Sequence, residues 1–405
     1  MDLKSGYPYW AIKNGLMHAF PPLRADLRCE VAIVGGGITG ALIADELAGH
    51  GHDVAVIEQR DVGWGSSSTS TALLQYEIDT HMVELAKRYG EADAVLAYSK
   101  CAEAITMLRD KAHDIRDVDF GWMDSLYYAS KRRHAKALRD EFALRLRHGF
   151  QVELLEQEEL QERYGVDAPV AILSHQAARI DPYRMAYRLL ARLQKRGGAV
   201  FDRTRVEKIH ATQRGVVLRT PEGHAIGADH LVLAAGYANQ RWLKQKVAQN
   251  RSSYAFITDP IDDTALGPLK GTMLWESARP SYLYMRSTGD GRLLVGGEDD
   301  SIDIPAKRDA RVEKKAHTLS KKVAGLFPHL PLTPVFAWAG TFAETADGLP
   351  FFGTHAQHGP RVHFAMAYGG NGITYSVLGA GLLRAAIEKR KHPLSALFGF
   401  DRLDR

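Results

Sequence analysis

The sequence predicts an α/β fold in which a parallel-sheet domain, gathered from separated stretches of chain, carries an inserted antiparallel-sheet domain. Three observations predict it. Residues 31 to 47, VAIVGGGITGALIADEL, run from an apolar strand through clustered glycines into a helical pattern. Near the other end, HFAMAYGGNGITYSVLGAGLLRAAI repeats strand, glycine turn and helix. Between 252 and 340, SSYAFITDP, TMLWES, YLYMRS, RLLVGGE and VFAWAG give one strand pattern after another, with turn residues between them.

Taken in order, residues 1 to 27 hold Tyr7, Tyr9, Trp10, Pro21 and Pro22 without helical or strand period, and are expected to form an arm packed over the surface. After the first glycine turn, a helix to about 50 leads into a second strand, DVAVIE. A Ser/Thr/Gly tract, GWGSSSTSTA, follows at 63 to 72. Leu85, Tyr89, Val95, Ile105 and Leu108 then mark a long amphipathic helix or a broken pair. The alternation in VDFGWMDSLYYAS reads as a strand, and charged helices follow near 131 to 147 and 156 to 164. DPYRMAYRLLARLQKRGGAV is a helix stopped by a glycine pair and feeding a strand, and HLVLAAG at 230 to 236 is a buried strand. The expected boundaries are 28–80, 150–250 and 335–392 for the parallel-sheet domain, 81–149 and 251–334 for the inserted domain, and 1–27 for the arm.

Composition narrows the function. The 52 Lys and Arg against 48 Asp and Glu leave a formal charge of +4 over 405 residues, too thin a field to point to nucleic acid. Cys29 and Cys101 have neither disulfide-framework nor zinc spacing, and a reducing cytoplasm fits them. No signal peptide or membrane-spanning run is visible, so the expectation is a soluble cytoplasmic protein. His355 and His358, with nearby His363, lack a partner carboxylate or cysteine at ligand spacing and read as solvated loop histidines, so no metal is expected.

In VAIVGGGITG the glycines of a GxGxxG motif are Gly35, Gly37 and Gly40, placed after a strand and at the opening of a helix through Ile38 and Thr39. Gly35 permits the tight turn, Gly37 the approach of backbone to a pyrophosphate, and Gly40 close packing of helix on strand. Glu58, 18 residues after Gly40 and followed by Gln59 and Arg60, closes the second strand where a carboxylate accepts both ribose hydroxyls and rejects a 2′-phosphate. A Rossmann-like dinucleotide domain follows. Its motif alone does not choose between FAD and NAD.

The later segments make that choice. GSSSTSTALL, RIDPYRMAYRL, the strand containing Val206, LVLAAG, DGRLLVGGE, ETADGLPFFG and YGGNGIT follow VAIVGGGITG and Glu58 in the order seen in FAD-dependent amine and amino-acid oxidases, and the chain resembles that family over roughly residues 27 to 390. The resemblance, to the group that includes glycine oxidase, sarcosine oxidase and D-amino acid oxidase, implies FAD in a glutathione-reductase-type domain. It places Ser66 and Ser67 at the pyrophosphate, Thr71, Ala72 and Leu73 beneath the flavin, the Val206 backbone at the adenine, and Ala235 and Gly236 close to the cofactor. It also places the turn of Gly369, Gly370, Asn371 and Gly372 so that the helix through Ile373 and Thr374 faces flavin N1 and C2=O. A helix N-terminus stabilises negative charge there by about 0.3 to 1 kcal/mol, up to about 2 when partly buried.

The implied chemistry removes a hydride equivalent from the carbon bearing an amine, delivers it to flavin N5, and lets water hydrolyse the imine. Oxygen, a quinone or a carrier protein then takes the electrons. Sarcosine oxidases attach FAD to a cysteine matching the region of Gly340, and some dimethylglycine-oxidising relatives use a histidine near the Ser/Thr tract; neither residue is here, so FAD is expected to be noncovalent. The family's basic carboxylate anchors correspond to Phe342, Gly370, Thr374 and the Leu74 to Gln75 region, none of them basic. The remaining anchor candidate is Arg286, which alternation places on one strand face with Tyr282 and Tyr284; Tyr254 and Arg279 are weaker pocket candidates. A dehydrogenase of a 2-hydroxy acid and an FAD-binding subunit of a larger complex are the alternative functions.

Overall fold

The computed structural model describes residues 4–277, 282–302 and 304–404. Arg279 lies outside them. Among the described residues the chain builds two sheets, and the smaller one starts from the glycine motif. Its strand Leu27–Val34 lies parallel between Val54–Ile57 and Ala225–Leu233, flanked by Ala199–Phe201 on one side and Val362–Met366 on the other. Strands such as Val54–Ile57 are buried at every residue because helices cover one face and a second apolar cluster the other, so their sequences read as continuous apolar runs. Phe351–Thr354 closes one edge antiparallel, and Lys208–Ala211 and Val216–Arg219 extend from Ala225–Leu233 as an antiparallel flap.

Helices Ile38–Gly49, Pro182–Lys195, Glu91–Ile115 and Gly372–Ile387 pack on one another in a single layer. Pro182–Lys195 starts as its sequence dictates: the Asp181 carboxylate accepts the Arg184 N–H at 2.9 Å, with proline at the first helical position. It stops at the expected glycine pair.

The larger sheet has the strand order Lys4–Gly6, Pro334–Glu344, Gln249–Pro260, Arg292–Asp300, Leu283–Ser287, Thr272–Glu276, Gly121–Tyr128, Val170–Arg179 and Leu73–Gln75, with Val152–Glu156 also paired to Val170–Arg179. Neighbours are antiparallel except for Thr272–Glu276 beside Gly121–Tyr128. Strands Leu73–Gln75, Val152–Glu156, Val170–Arg179 and Pro334–Glu344 therefore belong to the sheet expected of the inserted domain, although the expected boundaries gave them to the parallel-sheet domain. A period of two identifies a strand but carries nothing about which sheet recruits it.

The N-terminal arm differs from expectation too. Lys4–Gly6 pairs with the strand through Gly340, Tyr9–Asn14 is helical, and Trp10 and Phe20 are fully buried. Phe20 N–H donates to Asp202 Oδ2 at 3.1 Å and Leu23 N–H to Thr204 Oγ1 at 2.9 Å, so the arm is tied into the core. His363 is likewise not solvated: it is buried, its Nε2 lies 2.9 Å from His230 Nδ1, and burial and His230 push its imidazole down to about 3. Among the described residues no helix is long and apolar enough to cross a membrane, and no group of three or more His, Cys, Asp or Glu could hold a metal ion.

Candidate active site

One cavity runs from the first glycine turn to the face of the larger sheet, and both glycine turns line it. The turn after Leu27–Val34 is possible only with glycine. Gly35 has φ +120°, and a Cβ there would stand 2.3 Å from Ala234 O; at Gly40 it would stand 1.9 Å from Gly35 O. Gly36 N–H donates to Glu58 Oε2 at 2.8 Å and Arg60 N–H to Oε1 at 2.9 Å, which fixes the carboxylate at the end of Val54–Ile57. Burial pushes the Glu58 carboxyl up, opposed by these two N–H groups. Gln59 and Arg60 border the cavity beside it.

The Ser/Thr tract divides its labour. Ser67 Oγ accepts the Ile38 N–H at 2.8 Å and so caps the motif helix, with Gly37 leaving room for it. Ser66 Oγ is buried and has no hydrogen-bond partner. An orphaned hydroxyl, a helix N-terminus and a fixed carboxylate around one cleft are what a dinucleotide's phosphates and ribose would satisfy. Thr39 Oγ1 lies 2.8 Å from Ser376 Oγ, joining the two helices that open at the glycine turns.

Val206, Ala235 and Gly236 line the opposite wall. Gly236 has φ +57° and open space at its Cβ position. Around the second turn, Gly369 has φ +95°, Gly370 N–H donates to Asp79 Oδ2 at 2.7 Å, and Asn371 Nδ2 donates to Gln75 O at 3.0 Å while its buried Oδ1 has no partner. Gly372, Ile373 and Thr374 line the cavity at the start of Gly372–Ile387, which has no acidic residue of its own in the first turn. Asp79 was not foreseen; it stands just after strand Leu73–Gln75 and sets a carboxylate against this turn. Burial and Asp79 push the nearby Tyr237 hydroxyl up to about 12, leaving a protonated donor at neutral pH.

Thr71, Ala72 and Leu73 line the cavity between the turns, and their path is fixed from behind. Three successive main-chain carbonyls each accept a side-chain N–H: Thr69 from Trp338 Nε1 at 2.9 Å, Ser70 from Trp10 Nε1 at 2.8 Å, and Thr71 from Arg286 Nε at 2.7 Å. Ala72 then takes φ +49°, the left-handed region. Arg286 is therefore not a substrate anchor: it is wholly buried, outside the cavity wall, and also donates to Ser287 O and Ile180 O at 3.0 and 3.2 Å. Alternation placed it on the correct sheet face, but the backbone of another segment covers it.

Tyr282 and Tyr284 do line the chamber, with ring centroids 5.6 Å apart. Tyr254 borders it, yet its hydroxyl donates to Asp300 at 3.1 Å and Lys315 lies over its ring, so its polar tip serves the opposite face. Sequence reasoning missed Tyr127 and Trp275, which stack with centroids 3.7 Å apart, and Asp299. Their separation along the chain left no local signal.

The geometry has counterparts. The model of the FAD dependent oxidoreductase family matches residues 30–386. The gamma-glutamylputrescine oxidoreductase of Escherichia coli K12 is 26% identical, over 93% of this chain and 87% of that protein. The glycine oxidase of Geobacillus kaustophilus HTA426 is 27% identical, over 90% of this chain and 94% of that one. The crystal structure of glycine oxidase from Geobacillus kaustophilus superposes with a TM-score of 0.76 at 21% identity, covering 92% of this chain and 98% of its own. With the family model matched across most of its length, the chain belongs to the FAD-dependent oxidoreductases.

Proposed function

We propose that the protein oxidises the C–N bond of an amino acid or related amine, using FAD held without a covalent link. The observation that carries this reading is the continuity of the cavity: a cradle for a dinucleotide opens directly into an aromatic chamber on the larger sheet. FAD, when bound, would supply a two-electron acceptor for the hydride equivalent leaving the carbon beside the amine, and water would hydrolyse the resulting imine to a carbonyl and an amine or ammonia.

This chain's residues mainly position. Glu58 and the Gly36–Gly40 turn would hold the nucleotide of FAD, the locked Thr69–Thr71 carbonyls fix the loop that lines the cavity between the two glycine turns, and the chamber walls would exclude water around the reacting carbon. The relatives named for glycine and for gamma-glutamylputrescine span an amino acid and an amine-bearing compound, and the reading keeps both classes. Oxygen, a quinone or a carrier protein accepts the electrons afterwards.

Neither Cys29 nor Cys101 reaches the cavity, and its described lining holds no histidine. Acid precipitation of the yellow protein is therefore expected to leave all flavin in the supernatant; flavin in the pellet would refute noncovalent binding. Anaerobic mixing with amines, D- and L-amino acids and 2-hydroxy acids is expected to bleach the flavin with amines or amino acids alone. Bleaching by hydroxy acids only would overturn C–N oxidation.

A further inference from the structure

Tyr127 and Trp275 wall the chamber as stacked rings, on paired strands that place them opposite one another, with centroids 3.7 Å apart and planes within 15° of parallel. Both polar tips are held. Trp275 Nε1 donates to Ser125 Oγ at 2.9 Å, and the Tyr127 hydroxyl lies 3.0 Å from His81 Nε2. Neither Ser125 nor His81 lines the cavity. Behind them the two contacts converge on one cluster, Glu77, Glu141 and Arg145, whose side chains are wholly buried.

The His81 branch runs through two helix ends. Glu141 and Arg145 lie one turn apart on helix Ala135–Arg147, and Arg145 Nε donates to Glu141 Oε1 at 2.8 Å. The Glu141 carboxylate also accepts the Met82 and Val83 N–H groups at 2.9 and 3.0 Å. It thus caps helix Met82–Tyr89 from outside, where His81 at the cap position makes no side-chain cap of its own. His81 is thereby set against Tyr127, the two rings inclined at 79° with centroids 5.6 Å apart.

The Ser125 branch runs to Glu77. Ser125 and Ser174 stand opposite one another on paired strands, and their hydroxyls flank the Glu77 carboxyl without closing a hydrogen bond to it. Glu77 Oε1 lies 3.7 Å from Arg145 Nη1, beyond hydrogen-bond reach, and the guanidinium stands over the rings of Tyr76 and Tyr98 at 5.7 and 5.3 Å. Burial pushes the Glu77 carboxyl up, with Arg145 and the two serine hydroxyls opposing. Burial pushes the Glu141 carboxyl up as well, but Arg145, His81 and the Val83 and Met82 N–H groups outweigh it and hold that group below its ordinary value. Glu141 is therefore the anion that pairs Arg145. Glu77 is a neutral acid, which offers the serines both a donor and an acceptor.

A buried ionic cluster is a weak source of stability. What this one supplies is fixed geometry at two points of the chamber wall. We propose that Glu77, Glu141 and Arg145 are positioning residues for the substrate: through Ser125 and His81 they hold both polar tips of the Trp275–Tyr127 stack and so fix the wall against which the reacting carbon is placed. The proposal rests on the reading of the chamber as the substrate site of an amine or amino-acid oxidoreductase and deepens it. Rings freed at their tips alter the chamber but not the nucleotide cradle, so substrate affinity and flavin properties separate.

The test uses the FAD-loaded protein and the amine or amino acid that bleaches its flavin best. Glu77→Met keeps the bulk of the side chain but removes its donor and acceptor, and Ser125→Ala removes the acceptor of the Trp275 N–H. Both are expected to change the near-ultraviolet circular dichroism in the bands that Trp275→Phe also changes, and to raise KM about tenfold with kcat within about threefold. The visible flavin spectrum and midpoint potential are expected to stay native. Glu77→Gln, whose amide keeps a donor and an acceptor, is expected to restore most of both readouts. Ser125→Ala, the loss of one hydroxyl, keeps the test decisive should Glu77→Met fold poorly.

Wild-type near-ultraviolet spectra and KM in these variants overturn the relay and leave C–N oxidation standing. A KM raised equally by Glu77→Gln and Glu77→Met, or a shifted flavin potential, overturns it too, since general loosening produces either. Bleaching by no amine or amino acid overturns C–N oxidation instead, and the near-ultraviolet comparison, which needs no substrate, still decides whether the rings are held.

Discussion

Gly40→Ala is expected to give a folded, colourless protein. A methyl group at this position would lie 1.9 Å from the carbonyl oxygen of Gly35, which is main chain and has no rotamer by which to step aside. Gly35 is itself pinned: its φ of +120° and the 2.3 Å approach of its own Cβ position to Ala234 O fix where that oxygen sits. The only relief is to part helix Ile38–Gly49 from its strand, at a cost of about 1–3 kcal/mol or more. That displacement falls on the N–H groups of the motif turn and on Ile38, whose contact with Ser67 Oγ ties the turn to the Ser/Thr tract. FAD affinity is expected to fall at least about a hundredfold, corresponding to roughly 2.7 kcal/mol, with far-ultraviolet circular dichroism nearly unchanged. Gly381→Ala is the control, since the nearest atom to its Cβ position is 4.0 Å away at His392 Nε2. It is expected to stay yellow and to gain roughly 0.5–1 kcal/mol of helix stability. A Gly40→Ala protein that titrates with FAD like the wild type would refute the cradle.

The parts of this site that could be read from sequence are those whose physics is local. Gly35, Gly37 and Gly40 sit within one turn, and Glu58 closes the next strand, so apolar run, glycine spacing and carboxylate occur together on a short stretch. The Gly369 to Gly372 turn is legible for the same reason. The substrate end is built differently. Tyr127 and Trp275 are 148 residues apart in sequence and meet because two strands of the larger sheet pair in parallel, an arrangement that no hydrophobic period encodes. Asp79 follows the Ser/Thr tract closely but earns its place only against Gly370, from the far end of the chain. Arg286 shows the limit most clearly. Its strand face was correct, yet its partners are carbonyls contributed by Thr71 and Ile180, and what a side chain touches depends on which backbone arrives above the sheet.

That reassignment of Arg286 makes the other large prediction. Arg286→Met keeps length and apolar stem while removing the charge and the donors to Thr71, Ser287 and Ile180. Three buried carbonyls then lose a partner, each worth about 1–3 kcal/mol when left unsatisfied. Removing the guanidinium also relieves a desolvation cost, visible in the way burial pulls its pKa down to about 10. The net loss of stability is expected to be about 2–4 kcal/mol, measured as a lower urea midpoint at unchanged slope. A purely structural lesion would stop there. The Thr71 carbonyl, however, precedes Ala72, held at φ +49°, and with its lock removed the loop relaxes toward negative φ. The flavin's visible circular dichroism and its midpoint potential are therefore expected to shift, and kcat to fall, while KM for the best substrate stays within about twofold. Trp10→Phe, which deletes the neighbouring donor to Ser70 but keeps the aromatic bulk under the guanidinium 5.5 Å away, is expected to move the same spectrum in the same direction by a smaller amount. An Arg286→Met enzyme with native flavin spectra and a KM for carboxylate substrates raised a hundredfold would restore Arg286 as the anchor and remove the carbonyl lock from the account of this site.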